Sequence, residues 1–406
     1  MCNLFKIAIN IGVIGPFTRV RELYSPNHFP CKILFFVTEN SKTGGRSRVR
    51  TYFCKLNIIA SSIYVLPAAG LGLAVCREGQ TFLLAASAIP GIFLAKYCLE
   101  HLPFRPWLCL SASLWLLAFA LIFSGGAPVF TYAGTVFLGL FSAGNFFILP
   151  SLISLEESPG AHRLSAAVSL TFIFLLPYAY MLTYYPFAAG AVSLAAMTAA
   201  AFAAGEKPRL FTVCFAESAG KKRRSRSESS RIYIFIFFFL AVFCAGITRS
   251  FGSAGDYPQI ITDAGIGAGL FAGAALTGFS ASRQGIYGSG VFFIFITELA
   301  AMCSGLYSGD IFAVFCGEFA FGAVFSSAFV LAPSLTYYML GSVGYGRGLL
   351  FALVPIPAGL LASAPAVITG LPNNAVIPAA VFVLFLLIID FFIIFSAWKH
   401  RFVLLK

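Results

Sequence analysis

Charged residues are scarce in this sequence. Only 10% of the 406 residues are Asp, Glu, Lys or Arg, whereas an ordinary soluble domain has roughly 25%. Hydrophobic residues make up 59%, and the mean hydropathy is +0.89, which excludes a soluble globule. The apolar runs are continuous rather than alternating, which excludes a transmembrane β-barrel. At about 20 residues per run, they predict an all-α polytopic membrane protein.

Sequence elements for metal binding and covalent catalysis are also missing. The ten cysteines are scattered singly, with no Cys-x-x-Cys pair and no metal-ligand spacing to histidine. We interpret them as free thiols that act as small apolar residues. No Ser, His and Asp occur at a spacing that suggests a catalytic triad. We therefore expect no metal, no cofactor and no enzymatic activity.

Apolar runs of membrane-spanning length divide the chain into two halves. Each run is bounded by Gly, Pro or charged residues. We predict about 12 transmembrane helices, six in each half, at 56–76, 79–96, 106–124, 129–153, 165–184, 186–204, 232–252, 258–279, 286–306, 311–338, 348–370 and 375–398. The predicted domains are a basic tail (1–54), a first half (55–204), a basic linker (205–231), a second half (232–398) and a C-terminal tail (399–406). Whether the segment 1–54 belongs to the native protein is left open.

Basic residues are distributed asymmetrically about these spans. If the N-terminus is inside, all of the 27 Lys and Arg except Arg77 and Arg249 fall in cytoplasmic segments. This predicts a multi-pass protein of the cell membrane, or of the inner membrane in a bacterium, with both termini cytoplasmic. The basic cluster 221–226 would attract anionic lipid at about 1 kcal/mol per residue, or would be a solvated loop that fixes topology. We expect no nucleic-acid partner, because no folded polar domain accompanies the cluster.

One stretch of the sequence occurs twice. With an offset of 183 residues (317 − 134), six residues of the first copy have identical counterparts in the second: Gly134, Gly139, Phe146, Pro150, Ser151 and Leu152 fall on Gly317, Gly322, Phe329, Pro333, Ser334 and Leu335. Each copy is followed by a short polar loop with one Arg, Arg163 or Arg347, and by an apolar segment that contains proline. The repeat predicts two related halves, as in membrane transporters built from parallel repeats.

Over residues 55–398 the chain resembles the major facilitator superfamily, because it combines six spans, a basic linker, six more spans and a parallel repeat. Between the second and third spans the family usually carries Gly-x-x-x-Asp-Arg-x-Gly-Arg. This chain has Gly91-Ile-Phe-Leu-Ala95-Lys96-Tyr97, which keeps the first Gly and one basic residue, and the counterpart near Gly269 departs equally far. The fourth span of this chain lacks the arginine that many proton-coupled members carry there. The fifth span lacks the Gly-Pro signature of many drug exporters.

The resemblance implies an MFS-like 6+6 architecture, in which 55–204 and 232–398 form two six-helix bundles that rock about a central cavity. It implies secondary active transport of a small solute by alternating access. Uptake or symport is favoured, because the export signatures are missing. The expected partners are the solute, the lipid bilayer and, if transport is coupled, a proton or a sodium ion. The alternatives are a non-transporting sensor or scaffold on the same fold and, less favoured, a membrane-embedded lipid-modifying enzyme.

Polar residues inside the spans are the candidates for solute binding, because a charge in the membrane centre costs about 3 kcal/mol on insertion scales. Glu318, in the tenth span, would bind a cation or exchange a proton, or would be a carboxyl hydrogen-bonded to a neighbouring helix. Asn145, in the fourth span, would hydrogen-bond a solute or join two helices. The repeat makes both positions asymmetric, since Glu318 has Thr135 as its counterpart and Asn145 has Ala328.

Three further candidates lie in other spans. Arg249, near the outer end of the seventh span, would attract an anion, pair with Asp256 as a gate or be an interfacial charge. Asp263, early in the eighth span, is a further candidate for solute binding. Tyr178, next to Pro177 in the fifth span, would line a cavity or belong to an interfacial aromatic belt.

Glycine and proline patterns predict how the spans pack and bend. Gly265, Gly269 and Gly273 are four residues apart, so they lie on one helix face and would allow close approach of a neighbouring helix. Pro177 in the fifth span, and the prolines at 355, 357 and 365 in the eleventh, predict kinks.

Overall fold

The computed structural model describes residues 58–77, 79–124, 127–156, 161–204, 226–250, 259–284, 294–295, 299, 311–369 and 373–402. This part of the chain is helical almost throughout, contains no strand and belongs to one compact unit, Phe53–Lys406. Four predicted features lie wholly or largely outside the described residues: the basic tail (1–54), the basic cluster 221–226 with most of the linker, the ninth span (286–306) and the last residues of the C-terminal tail.

The helices are numbered here in chain order. They are α1 (Val65–Arg77, preceded by a helical turn over 58–63), α2 (Thr81–His101), α3 (Phe104–Phe123), α4 (Pro128–Glu156), α5 (Ala161–Ile173), α6 (Leu175–Tyr184), α7 (Pro186–Ala203), α8 (Arg226–Ser250), α9 (Gln259–Gln284), α10 (Ile311–Leu353), α11 (Pro355–Thr369) and α12 (Asn373–Phe402). Because α5 and α6 share one predicted span, these numbers are not span numbers.

Most of these helices suit a bilayer. Within the described residues, nine helices are long and apolar enough to cross a membrane, or ten if the bent pair α5–α6 counts as one span. The two predicted spans outside this set are the ninth and the fourth. The fourth forms α4, whose 29 residues extend about 43 Å, enough for a hydrocarbon core of about 30 Å. The prediction of an all-α polytopic membrane protein is confirmed.

Several helix breaks lie just before prolines. Helical conformation is interrupted at four single residues: Tyr64, Phe174 and Val354 each lie three residues before a proline (Pro67, Pro177 and Pro357), and Tyr185 directly precedes Pro186. Proline has no N–H to donate, and its ring collides with the carbonyl of the fourth residue before it, which favours a break or a bend. At Phe174 the two helix axes differ by 41°. The predicted kinks in the fifth and eleventh spans are matched by breaks before Pro177 and Pro357, whereas α11 continues without interruption through Pro365.

The prediction of a loop between the tenth and eleventh spans is wrong. Helix α10 runs through 339–347 without interruption and has 43 residues. A loop was expected there because the segment Gly341–Gly348 has four glycines and Arg347. A glycine weakens a helix by about 1 kcal/mol relative to alanine but keeps its N–H, so packing can override it.

The closest helix contacts are duplicated between the halves. Helix α2 packs along α4 in the first half, and α9 packs along α10 in the second. A Cβ added at Gly139 of α4 would come 2.9 Å from the carbonyl oxygen of Leu84, and one added at Gly322 of α10 would come 2.5 Å from that of Ile266. Gly139 and Gly322 are counterparts in the sequence repeat, and their partners are 182 residues apart (266 − 84).

Contacts in the other direction, in which a glycine of α2 or α9 meets the backbone of α4 or α10, are duplicated as well. A Cβ at Gly91 of α2 would come 2.9 Å from Leu140 Cα, and one at Gly273 of α9 would come 2.7 Å from Ala323 Cα. Leu140 and Ala323 again differ by 183 residues. Gly265 and Gly269 also face α10 at backbone contact distance, so the predicted close approach of a helix to this glycine row is confirmed. The repeat thus extends from α4 and α10 to α2 and α9.

Several helix pairs connect the halves, and two of these contacts are the most extensive. Helix α5 packs on α9, and α2 packs on α11. If α2 corresponds to α9, and the span of α5 and α6 to that of α11, these two contacts are equivalent. In the first of them the Ser165 hydroxyl donates a 2.6 Å hydrogen bond to the carbonyl of Ala274. Next to it, a Cβ added at Gly267 would lie 3.3 Å from the side chain of Leu176 in α6.

We expect Gly322→Ala to lower the Tm of the detergent-purified protein, because its methyl group would push α10 away from α9 at a cost of about 1–3 kcal/mol. Gly139→Ala should produce a drop of similar size at the equivalent contact. Gly317→Ala is the matched control, since its Cβ would meet no heavy atom of the described residues within 4 Å. Equal Tm values for all three variants would contradict the duplicated packing.

Candidate functional site

Three of the five predicted site residues meet in one buried cluster. Arg249 comes from the end of α8, Asp263 from α9 and Glu318 from α10. The Arg249 Nε donates a hydrogen bond to Glu318 Oε1 at 2.8 Å, and Oε2 lies at the same distance. Asp263 is close enough to interact electrostatically with both. The side chains of Arg249 and Glu318 are only 18% and 10% exposed. These three residues are called the charge cluster below.

Glycine and helical spacing determine where the cluster forms. A Cβ at Gly265, two residues after Asp263, would lie 2.9 Å from the Cβ of Glu318, so α9 and α10 are in backbone contact at this level. Phe321 follows Glu318 by three residues and therefore lies on the same face of α10. Its ring centroid is 5.1 Å from Arg249 Cζ, a cation–π distance. Helix α10 thus holds the guanidinium by its Nε and by its flat face.

The Arg249–Glu318 pair differs in kind from an ordinary surface ion pair. Lys96 and Glu100 on α2 also lie 2.8 Å apart, but they are one helical turn apart and 21% and 27% exposed. Exposed pairs contribute about 0–1 kcal/mol. Removing one partner of a buried pair costs about 3–5 kcal/mol, because the other charge is left without compensation. Within the described residues, no group of three or more His, Cys, Asp or Glu could hold a metal ion.

The first half of the chain places one neutral group, Cys76, beside the cluster and carries a neutral hydrogen bond at the position equivalent to Glu318. Cys76, at the end of α1, is within electrostatic range of Arg249 and Glu318, and its thiol is hydrogen-bonded to Thr81. Thr135, the repeat counterpart of Glu318, donates hydrogen bonds to the side-chain oxygen of Gln80 and to the carbonyl of Thr131. Equivalent positions of the two halves therefore carry an ion pair in one half and a neutral hydrogen bond in the other.

Asn145 lies inside the first half and is bonded to its own neighbours. It is 2% exposed, its amide donates to the carbonyl of Phe141 at 3.1 Å, and it accepts a 3.4 Å hydrogen bond from the Ser111 hydroxyl. These bonds join α4 to α3, which corresponds to the helix-joining alternative for this residue. No hydrogen bond or ion pair between described residues links Asn145 to the charge cluster.

Tyr178 also bonds within the first half. Its hydroxyl lies 2.7 Å from the Ser193 hydroxyl, which joins α6 to α7, and its side chain is buried. Burial removes Tyr178 from the interfacial aromatic belt that was one alternative. Its neighbours Tyr180 and Tyr184 are each 62% exposed, and their rings pack against each other in a tilted arrangement with centroids 4.4 Å apart, which fits a belt.

Sequence reasoning missed several neighbours of the cluster. Cys76 and Thr81 carry no sequence signal of their own, because they reach the site through contacts between distant helices. Gln80 and Phe321 had weak signals: Gln80 is a polar residue between two spans, and Phe321 is three residues after a candidate carboxylate.

Asp390 of α12 is a second buried carboxylate in the second half. It is completely buried, and neither oxygen has a hydrogen-bond partner among the described residues. It therefore lacks the ionic partner that Glu318 has.

Glu318→Gln and Arg249→Gln should each lower the free energy of unfolding by about 3 kcal/mol, because each leaves a buried charge without its partner. The double variant should recover most of this loss. The measurement is unfolding of the purified protein in mixed detergent–SDS micelles, analysed as a double-mutant cycle. Lys96→Gln and Glu100→Gln form the control cycle, with an expected coupling below about 1 kcal/mol. Additive losses at Arg249 and Glu318 would show that the pair is not coupled.

No protein-family model matches the chain, and no curated protein matches it. Membership of the major facilitator superfamily stays a prediction from the sequence.

Proposed function

We propose that the protein is a secondary transporter of a small solute, built as two six-helix bundles that alternate in access about the charge cluster. No enzymatic activity is proposed. The two-bundle architecture is supported by the duplicated contacts of α2 with α4 and of α9 with α10, which keep the register of the sequence repeat. It is also supported by the two most extensive contacts between the halves, α5 on α9 and α2 on α11, which are equivalent under that repeat.

The observation that carries the proposal is the buried Arg249–Glu318 pair next to Cys76 of the other half. An ionised side chain within a membrane span is costly, up to about 2.5–3.5 kcal/mol at the bilayer centre on insertion scales, so intramembrane charges usually serve a function. Packing alone does not require such a pair, because well-fitting apolar residues are often as stable as a buried ion pair. A solute bound here would contact both halves, and only a ligand with different affinities for two states can shift the balance between them.

The contacts between the halves are suited to a rocking motion. Two equivalent helix pairs, related by the repeat, can act as two parallel sliding surfaces. Around Ser165 the contact on α9 involves Ala274, a residue with a small side chain. Helix pairs of this kind shift by small sliding steps in shear motions of packed helices.

Coupling to a proton would act at Glu318. Protonation removes the negative charge of the carboxyl and weakens its hold on the Arg249 Nε. The guanidinium would then be available to another anionic group. This supports symport more directly than antiport, and sodium is the alternative coupling ion.

The proposed location is the cell membrane, with both termini in the cytoplasm. The support is the placement of all but two of the 27 Lys and Arg on one side of the predicted spans. The basic cluster 221–226 directly precedes α8, which begins at Arg226, so it would lie at the headgroups and attract anionic lipid.

Solute flux into proteoliposomes tests the transport proposal. With pH and sodium gradients applied separately, wild-type protein should accumulate at least one small solute of a metabolite panel. Glu318→Gln should lower flux at least about tenfold, since it removes the ionic partner of Arg249. Asp390→Asn is the matched control, because it also neutralises a buried carboxylate in the second half, and it should keep flux within about twofold. A folded wild-type protein that moves no solute would instead favour the sensor or scaffold function.

Orientation can be checked separately. A reporter that is active only in the cytoplasm, fused within the linker 205–225, should be active, as should one fused after Lys406. A reporter placed between the first two spans, at Gly79, should be inactive. An active reporter at Gly79 would reverse the proposed orientation.

A further inference from the structure

The Arg249 guanidinium has donors that no described residue uses. Its Nε is occupied by Glu318, but among the described residues no hydrogen bond is made by either terminal nitrogen, Nη1 or Nη2. The side chain is 18% exposed, so part of it reaches accessible surface. The outer edge of the guanidinium is therefore available to a ligand.

This edge is also fixed in orientation. Glu318 holds the guanidinium at the Nε, and the Phe321 ring lies against its face at 5.1 Å. The remaining edge presents two parallel N–H donors, which match the two oxygens of a carboxylate in a bidentate pair. Because both contacts come from α10, ligand binding need not reorganise the arginine first.

The charges around the edge limit what the ligand can be. Two carboxylates, Glu318 and Asp263, already lie within electrostatic range of Arg249. A ligand with two or more negative charges, such as phosphate or a dicarboxylate, would be repelled by them. Repulsion by these carboxylates grows with each further negative charge, so among anions one negative charge delocalised over two oxygens is the best match for the guanidinium edge.

The first half contributes the neutral side of the site. Cys76 and Thr81 are hydrogen-bonded to each other beside Arg249, and Thr135 bonds to Gln80 in place of a second ion pair. None of these four side chains carries a full charge. A ligand that reaches from Arg249 towards this half therefore needs no second charged group.

We propose that Arg249 binds the carboxylate of a small monocarboxylic acid through Nη1 and Nη2, with the uncharged end of the ligand towards Cys76 and Thr81. A small monocarboxylic acid would then be the substrate class of the proposed transporter. That the bound acid is transported rests on the proposed function. Binding itself is measurable without transport.

The first measurement is the Tm of the purified full-length protein with sodium acetate, lactate or butyrate, at constant ionic strength. At least one of the three should raise the Tm with a saturable concentration dependence, because a ligand of the native state stabilises it. Butyramide, butylammonium, succinate and inorganic phosphate should not. Stabilisation by succinate or phosphate above that by every monocarboxylate, or by butylammonium alone, would overturn the proposal.

Arg249→Lys keeps the positive charge but loses the parallel donors, so it should weaken the apparent affinity at least about tenfold. Arg231→Lys is the matched control. Arg231 lies on the same helix, 18 residues earlier and about 27 Å away along its axis, and its variant should bind like the wild type. Equal affinity in Arg249→Lys and the wild type would contradict binding at this edge.

A second readout uses the unmodified chain, in case the Arg249 variant does not fold. Alkylation of Cys76 by N-ethylmaleimide, followed by peptide mass spectrometry, should slow at least about threefold when the stabilising monocarboxylate is present. Cys109, exposed on α3, should react at the same rate with and without it. Unchanged labelling of Cys76 under saturating ligand would overturn the placement of the ligand.

The failure of this inference can be told apart from that of the transport proposal. Binding and Cys76 protection without flux in proteoliposomes would support the monocarboxylate site and contradict transport. Flux of a neutral or cationic solute, without monocarboxylate binding, would support transport and overturn the site proposed here.

Discussion

Contact between helix backbones at glycine is the constraint on which the candidate site depends. In lipid, apolar side chains gain little by packing on one another rather than on acyl chains, so helices associate best where small residues allow close approach. On α9, Gly265, Gly269 and Gly273 bring its backbone against α10. The same contact places Asp263 beside Glu318, and Glu318 in turn holds Arg249. Packing and electrostatics therefore depend on the same row of residues.

The two halves share this packing but not its charge. Gly139 and Gly322 make equivalent contacts, yet Thr135 bonds to Gln80 in one half while Glu318 bonds to Arg249 in the other. A duplicated scaffold with one charged and one neutral side would give a bound solute a fixed direction. It also concentrates the electrostatic cost of burying charges in one half, where the ion pair offsets it.

Parts of the site could be anticipated from residues alone. Arg249, Asp263 and Glu318 stood out because charges are rare within apolar spans, and the structure brings these three together. Asn145 and Tyr178 stood out for the same kind of reason, but each bonds to a neighbouring helix of its own half. Polarity within a span identifies a side chain that needs a partner. It does not show whether that partner is a helix, another charge or a solute.

The sequence by itself determined the helical, membrane-spanning class, because backbone groups in lipid must bond within their own segment. It also indicated the breaks at Pro177 and Pro357, because proline lacks an N–H and its ring crowds the preceding turn, although α10 continues through Pro333. The continuity of α10 through Gly341–Gly348 was decided only by tertiary packing, since glycine permits both helix and loop. Tertiary structure likewise decided which charges meet, because Arg249 and Glu318 are 69 residues apart and no local rule connects them.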